Sequence, residues 1–173
     1  MGRFAKLNDD VQILARKILD NQDLCKLLYY TDTYPLEQPD LNTKARRELL
    51  YTRLLLFTSK MPLTEVVGSY IMLRVPRGKP TDGSYFLKSL LLFDIYTHED
   101  SRNIRIKDDN GIEKAGDRVI LIADKIDEFM VDMQLSIGQN NIDGWSEVAN
   151  RDSMFSGYSV GYVDVDFRSQ HNE

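Results

Sequence analysis

The sequence predicts an α+β domain: a mostly antiparallel sheet with two main helices packed on one face, plus an extended arm. Two segments, 8–20 and 117–133, carry apolar residues at helical spacing. Two long apolar strands, 66–75 and 85–97, are joined by a segment rich in turn-forming residues, so they must run antiparallel. The helices are too few, and badly placed, for alternating βαβ units.

Each predicted helix has one apolar side. In the first, residues spaced by four, three and four positions align: Leu7, Val11, Leu14 and Ile18. In the second, the aligned residues are Val119, Ile122, Ile126, Phe129 and Met133. A short helix is also expected over 23–30, where leucines recur.

Residues 31–48 (TDTYPLEQPDLNTKARRE) are polar and contain two prolines, which disfavour regular structure. We expect an extended arm or loop with no core of its own, longer than most loops. It is either a floppy connection or an arm that becomes ordered against a neighbouring subunit. In the second case, Tyr34 and Leu36 are candidate interface residues.

The segment 49–57 is strongly apolar, and periodicity does not decide between strand and helix. After the strand over 66–75, residues 76–84 should form a protruding hairpin loop, because proline and glycine are dense there. Arg74, Arg77 and Lys79 give this loop three nearby positive charges, and they are candidate interface residues.

The strand over 85–97 is apolar on both faces at its centre, which predicts burial on both sides. Helices would cover one side, and a partner chain could cover the other. Asp94 and Tyr96 are interpreted as a buried hydrogen-bonded pair or an interface contact, so Tyr96 is also a candidate interface residue.

Shorter elements complete a single domain over 1–173. Strands are expected at 104–107, 135–137 and 145–148, with a turn at Asn110-Gly111. The last strand, 158–167, changes its apolar phase as a β-bulge would require. Residues 168–173 form a polar tail.

Charge is unevenly distributed along the 173 residues. Residues 1–60 hold 10 Lys/Arg and 8 Asp/Glu, whereas residues 99–173 hold 8 Lys/Arg and 16 Asp/Glu. This acidic part argues against a general phosphate-binding surface. It is either a solvated face that maintains solubility or a surface that must repel DNA.

Few residues suggest chemistry. Gly157-Tyr158-Ser159-Val160-Gly161 matches the nucleophile motif GxSxG, but strand residues follow it where a helix is required. His98-Glu99-Asp100 is interpreted as a polar turn rather than a metal site, and Cys25, the single cysteine, as a small core residue. We therefore expect no catalytic residue, metal or cofactor, and neither a signal peptide nor a transmembrane span.

Five pieces resemble neck proteins of tailed bacteriophages, in particular the tail-terminator (tail-completion) group and its head–tail connector relatives. They are LLYYTDTYPLEQPD, TRLLLFTSKMPLTEVVGSYIMLRV, LKSLLLFDIYTHED, GDRVILIADKIDEFM and GYSVGYVDVDF. The resemblance covers most of residues 20–167. It consists of the order of the elements and the pattern of strands and helices, not of an invariant motif. The long segment 31–48 departs from compact members of the group.

The resemblance implies a homo-hexameric ring in the virion neck, assembled in the host cytoplasm. Such a ring caps the tail tube, joins it to head-closure, adaptor or portal-proximal proteins, and lets DNA pass through its lumen without specific binding. The chain could be the tail terminator or another head–tail connector ring, and the resemblance does not decide between these two alternatives. Two other hypotheses are a small cytoplasmic hydrolase using Ser159 and a monomeric host-binding module using the 31–48 arm.

Overall fold

The computed structural model describes residues 3–57, 66–80, 87–108, 110–135, 138–149 and 154–165. The helices are α1 (Arg3–Asp20), α2 (Gln22–Tyr29), α3 (Thr43–Leu49), α4 (Glu99–Arg102) and α5 (Arg118–Asp132), with a 3₁₀ turn at Pro35–Glu37. The strands are β1 (Leu54–Leu56), β2 (Ser69–Pro80), β3 (Leu87–His98), β4 (Asn103–Lys107), β5 (Glu113–Asp117), β6 (Gln134–Leu135), β7 (Gly138–Ala149) and β8 (Phe155–Val165).

The main sheet has the order β1-β2-β3-β8-β7-β6. Its pairs are antiparallel except for β1 and β2, which run parallel. Strands β4 and β5 form a separate hairpin. The α+β class with a mostly antiparallel sheet is confirmed.

Helices α1, α2 and α5 pack on one face of the main sheet and form one core with it. The predicted apolar residues of α1 and α5, except Leu7, lie in this core or pack against it, and alternate residues of β2 and β3 lie in it as well. Fully buried examples are Leu14, Ile18, Ile122, Ile126, Ile71, Phe93 and Ile95. Residues two apart on each strand therefore share the helical side, as the pleat requires.

The opposite face of the sheet is also buried at its centre. Tyr70, Met72 and Asp94 are each no more than 5% exposed, and all three lie on the side away from the helices. The chain itself shields this centre. A partner chain is thus not needed there, in contrast to the expectation drawn from the two-sided apolar pattern of β3.

The segment 31–48 differs from the expected extended arm, because it contains the 3₁₀ turn and α3. The side chain of Asn42 caps α3 by accepting a hydrogen bond from the Ala45 amide at 2.9 Å. Leu41 is buried, and its backbone N–H and C=O both bond to the Gln22 side chain, at 3.1 and 2.9 Å. The segment has packing partners that lie far away in sequence, so composition alone missed its structure.

Arg118 fixes the start of this segment to the core. Its side chain is fully buried and donates to the carbonyls of Ser101 (2.7 Å), Leu27 (3.0 Å), Asp32 (2.6 Å) and Tyr30. Burial lowers the pKa of Arg118 to about 10, and the nearby Asp32 partly opposes this shift. One guanidinium therefore holds together the end of α2, residue 32, α4 and α5.

Two other boundaries differ from the sequence predictions. Residues 76–80 of the expected hairpin loop continue β2, and residues 77–80 pair with β3 after a register shift between Arg74 and Arg77. The expected bulge in β8 is absent from its pairing with β3; the irregularity lies in β7, between Ile142 and Gly144. Residues 81–86 and the 168–173 tail lie outside the described residues.

Gly157 is required by a close approach of β8 to β3. A Cβ at this position would overlap the Ile95 carbonyl oxygen and lie 3.1 Å from the Tyr96 Cα, and backbone atoms cannot move away cheaply. We expect Gly157→Ala to lower the free energy of unfolding by about 3 kcal/mol in urea denaturation. Gly116→Ala is the control, because its Cβ would meet only ordinary contacts at 3.5 Å. Equal stability of the two variants would contradict this account.

Arg118→Met should leave several buried carbonyls without donors. We expect a loss of about 3–5 kcal/mol in the free energy of unfolding. Amide hydrogen exchange at residues 31–42 should also become faster, because their connection to the core is lost. Arg105→Met is the control: Arg105 is exposed, its ion pair with Glu113 is 3.6 Å long, and its removal should cost at most about 0.5 kcal/mol. Unchanged exchange in Arg118→Met would contradict the proposed role.

Candidate interaction surface

An apolar groove lies between α5 and the strands β7 and β8, on the helical side of the sheet. Its volume is about 350 Å³, and its surface is mostly apolar. The lining residues are Ile120, Ala123, Asp124, Asp127, Ile142, Trp145, Tyr158, Val160 and Tyr162. We call this feature the groove.

The groove exists because the sheet is wider than the helical layer above it. Helix α5 covers β3 and part of β8, so Val160 and Tyr162 are buried. Strand β7 extends past the helix, and Ile142 and Trp145 remain 57% and 70% exposed. The Trp145 ring packs edge-to-face against Tyr158, with 5.6 Å between ring centroids. Large apolar side chains exposed together are typical of interaction sites.

Strand β7 also presents a free edge beside the groove. In the part of the chain that the structure describes, β6 pairs with only the first two residues of β7, Gly138 and Gln139. From Asn140 to Ala149 the outer edge has no strand partner there, although β8 pairs with the inner edge along most of this length. An exposed edge of this length is a template for association with another chain.

The rim of the groove is acidic. Asp124 is exposed, and Asp127 is half-buried and accepts a hydrogen bond from the Tyr162 hydroxyl at 2.8 Å. Burial, followed by this bond to Asp127, raises the pKa of Tyr162 far above its usual value, so the hydroxyl stays protonated. Among the described residues that line the groove, none is a cation. The groove therefore suits an apolar group that is flanked by positive charge.

Two predicted interface residues, Arg74 and Tyr96, lie on the opposite face of the sheet. Arg74 bonds to the buried Asp94 carboxylate at 2.5 Å, and the Ser159 hydroxyl donates to the same carboxylate. Tyr96 is half-buried near them, and its pKa is raised mainly by burial and also by Asp94. These contacts show Arg74 and Asp94 within one hydrogen-bonded cluster, a partnership that the sequence pattern did not indicate.

The remaining predicted interface residues do not lie at the groove. Tyr34 donates to Glu113 at 3.0 Å, which raises its pKa, and Leu36 packs against the core. Both residues contact their own chain. The backbones of Arg77 and Lys79 belong to β2, opposite Leu90 and Lys88, but their side chains lie outside the described part of the structure.

The GxSxG match lies inside the straight strand β8, not at a strand-to-helix turn. Ser159 is buried between β3 and β7, opposite Asp94 and Ser146. The two glycines of the motif allow β8 to pack closely against β3. Gly157 faces the β3 backbone, and a Cβ at Gly161 would lie 3.1 Å from the Leu92 side chain. The geometry lacks the exposed nucleophile that this motif provides in hydrolases.

His98 and Cys25 have structural surroundings. The Nδ1 of His98 accepts a hydrogen bond from the Asp100 amide at 3.2 Å and caps α4, while its ring packs against Phe155. Cys25 lies in the core and is fully buried, and this burial raises the pKa of its thiol to about 12. Over the described ranges, no group of three or more His, Cys, Asp or Glu residues is arranged to hold a metal ion.

Sequence reasoning missed the groove. The strand β7 was predicted only over 145–148, because its sequence GQNNIDGWSEVA is polar and rich in residues that disfavour strands. The available signal was Trp145, the single tryptophan, placed among polar residues.

Comparison with known proteins identifies a family. The YomW family model, which describes phage-derived proteins of the SPBeta-like prophage type, matches residues 21–163. Neither curated proteins nor solved structures gave a match. None of the helices within the described residues is long and apolar enough to cross a membrane.

Trp145 provides a direct test of the groove in the isolated chain. Because its indole is 70% exposed and no other tryptophan is present, we expect emission characteristic of water-exposed tryptophan and strong quenching by acrylamide. Trp145→Phe should remove this signal and change the free energy of unfolding by about 0.5 kcal/mol or less. Weak quenching in a sample that sedimentation shows to be monomeric would contradict the described exposure.

Proposed function

Since the chain belongs to the YomW family and is therefore a phage protein, we propose that it is a structural subunit of the virion neck. In this proposal the chain forms a ring that caps the tail and joins it to the head-closure or connector complex. The ring is a homo-hexamer, as in the tail-terminator group that the sequence resembles. DNA passes through the lumen. The tail terminator is the first candidate, and another head–tail connector ring is the alternative.

The observation that carries this proposal is the groove together with the free edge of β7. A protein that acts alone gains nothing from leaving Trp145, Ile142 and Ile120 exposed side by side, and it exposes itself to aggregation. A subunit that is buried in an assembly gains binding energy from the same residues, since aromatic side chains dominate many interfaces.

The charge of the chain supports passage of DNA rather than specific binding. The C-terminal part, which includes α5, holds twice as many Asp/Glu as Lys/Arg. Exposed carboxylates of this part repel phosphate, and a channel lined by such groups would let DNA slide.

The enzyme hypothesis is less well supported by the geometry. The Ser159 hydroxyl donates to a carboxylate that also binds Arg74, so Asp94 is committed to an ion pair. The host-binding hypothesis relied on a free 31–48 arm, whereas Tyr34 and Leu36 contact the same chain. The groove fits a host partner as well as a phage subunit, and the experiment below distinguishes these cases.

The test locates the protein in phage particles and measures its assembly. Particles released from a lysogen that carries the gene are purified and analysed by mass spectrometry and by electron microscopy with a tag on the chain. We expect several copies per particle, at the junction of head and tail. A lysogen with the gene deleted should release heads and tails that fail to join, or tails of irregular length.

A variant connects this phenotype to the groove. Trp145→Ala should fold with nearly unchanged stability, because its side chain is mostly exposed, but should reduce incorporation into particles at least tenfold. Ile112→Ala is the matched control, since Ile112 is 58% exposed and lies on the β4–β5 hairpin. Absence of the wild-type chain from intact particles, together with joined heads and tails in the deletion strain, would refute the structural role and favour a host-binding module.

A further inference from the structure

We propose that the groove of one copy receives Tyr51 and Phe57 of the next copy. This inference rests on the proposed function and specifies the contact that would join neighbouring subunits. Tyr51 and Phe57, which we call the aromatic pair, flank β1 at one edge of the main sheet. The groove lies beside β7, near the other edge.

The aromatic pair is exposed in the single chain. Tyr51 is 68% and Phe57 53% exposed, although β1 between them contributes Leu54 and Leu56 to the core. Each aromatic residue therefore sits at the point where a buried three-residue strand meets the surface. Two large exposed rings therefore lie at the two ends of one edge strand.

Both residues hold a backbone conformation that bulky side chains rarely adopt. Tyr51 has φ of 69° and Phe57 has φ of 61°, in the left-handed region where glycine or asparagine is usual. Such strain persists where the side chain itself is needed, and it is concentrated at functional positions. Folding alone would favour a glycine at each position, so a role for the rings outside the single chain explains their presence.

The groove has a suitable size and surface for aromatic rings. Its volume of about 350 Å³ exceeds the roughly 150 Å³ of an apolar cavity that holds one benzene molecule. Trp145, Tyr158 and Tyr162 in its lining offer faces and edges for ring-to-ring contacts.

Charge is complementary between the two surfaces. Helix α3 ends two residues before Tyr51, and α1 packs against β1. Their described side chains include four exposed cations, Arg16, Lys17, Lys44 and Arg47, and three exposed acids, Asp9, Asp20 and Glu48, so a small positive excess lies on this side. The groove has Asp124 and Asp127 at its rim and Glu147 on the adjoining strand. A second copy of this chain therefore presents apolar rings together with positive charge, the combination that the groove is built to receive.

The aromatic pair and the groove are different surfaces, and they lie towards opposite edges of one sheet. Each copy therefore has one aromatic pair and one groove. Contacts of this head-to-tail kind produce a ring when the rotation between copies closes, and a filament when it does not. This geometry matches a cyclic neck component. A two-fold dimer would instead join one surface to itself.

The experiment uses one variant on each surface. Tyr51→Gly/Phe57→Gly removes the rings and also relieves the strained φ angles, so the melting temperature should be unchanged or higher while self-association is lost. Ile120→Lys/Ile142→Lys places cations in the groove, at residues that are 56% and 57% exposed. Sedimentation velocity should show apparent dissociation constants at least tenfold higher for each variant. Ile112→Lys, at 58% exposure elsewhere, should associate as the wild type does.

Mixing the two variants gives the decisive result. A head-to-tail contact leaves one intact interface between them, so the mixture should form 1:1 heterodimers and nothing larger. Acrylamide quenching of Trp145, present in every variant, should decrease in the mixture relative to either variant alone. If the wild-type chain is monomeric in solution, the same variants are compared for incorporation into particles, where at least a tenfold loss is expected for both.

Two failures are distinguishable. Wild-type chain in particles, with both double variants incorporated or associating equally well, overturns this contact and leaves the neck role standing. Wild-type chain that neither associates nor enters particles overturns both. Formation of homodimers by either variant alone would indicate a two-fold contact and would also overturn the head-to-tail arrangement.

Discussion

The main sheet is wider than the layer of helices that packs on it, and the rest of the structure depends on this difference in area. The helices α1, α2 and α5 cover the sheet from β1 to the middle of β8, and there the chain buries its apolar residues to near completion. Strand β7 adds width to the sheet that α5 covers only in part. Because hydrophobic stabilisation scales with apolar area removed from water, the uncovered residues Trp145 and Ile142 retain binding energy that the monomer does not use.

The centre of the sheet shows why burial on both faces does not by itself demand a partner. On the face without helices, a polar cluster replaces an apolar layer: Asp94 bonds with Arg74 and Ser159, and Met72 and Tyr70 are buried beside it. A paired charge in such a place contributes little net stability, but an unpaired one would be costly. The apolar pattern of β3 was real, but the chain itself buries both faces there, so this pattern did not mark an intersubunit surface.

The sequence was informative wherever local pattern and burial coincide. Helix α5 and strand β3 were predicted nearly in full, because their apolar periodicity is visible over a single window. The segment 31–48 was not, since its order comes from Arg118 and Gln22, which are distant in sequence and show no periodic signal. Strand β7 forms because β8 provides a hydrogen-bonded partner, and pairing overrides its weak intrinsic propensity. The groove could not be predicted from the sequence for the same reason, because β7 forms one of its walls.

The aromatic pair and the groove lie towards opposite edges of the sheet because of the order of its strands, not because of any single residue. Chain order puts β1 early and β7 late, and the sheet places them towards opposite edges. The exposed cations Arg16, Lys17, Lys44 and Arg47 belong to α1 and α3, on the β1 side, whereas Asp124, Asp127 and Glu147 lie at or beside the groove near β7. A molecule with opposite charge and complementary apolar shape at its two ends favours head-to-tail contact over self-pairing, because like ends repel. A repeated head-to-tail contact turns each copy by the same rotation, and it closes into a ring only when that rotation divides a full turn without a shift along the axis.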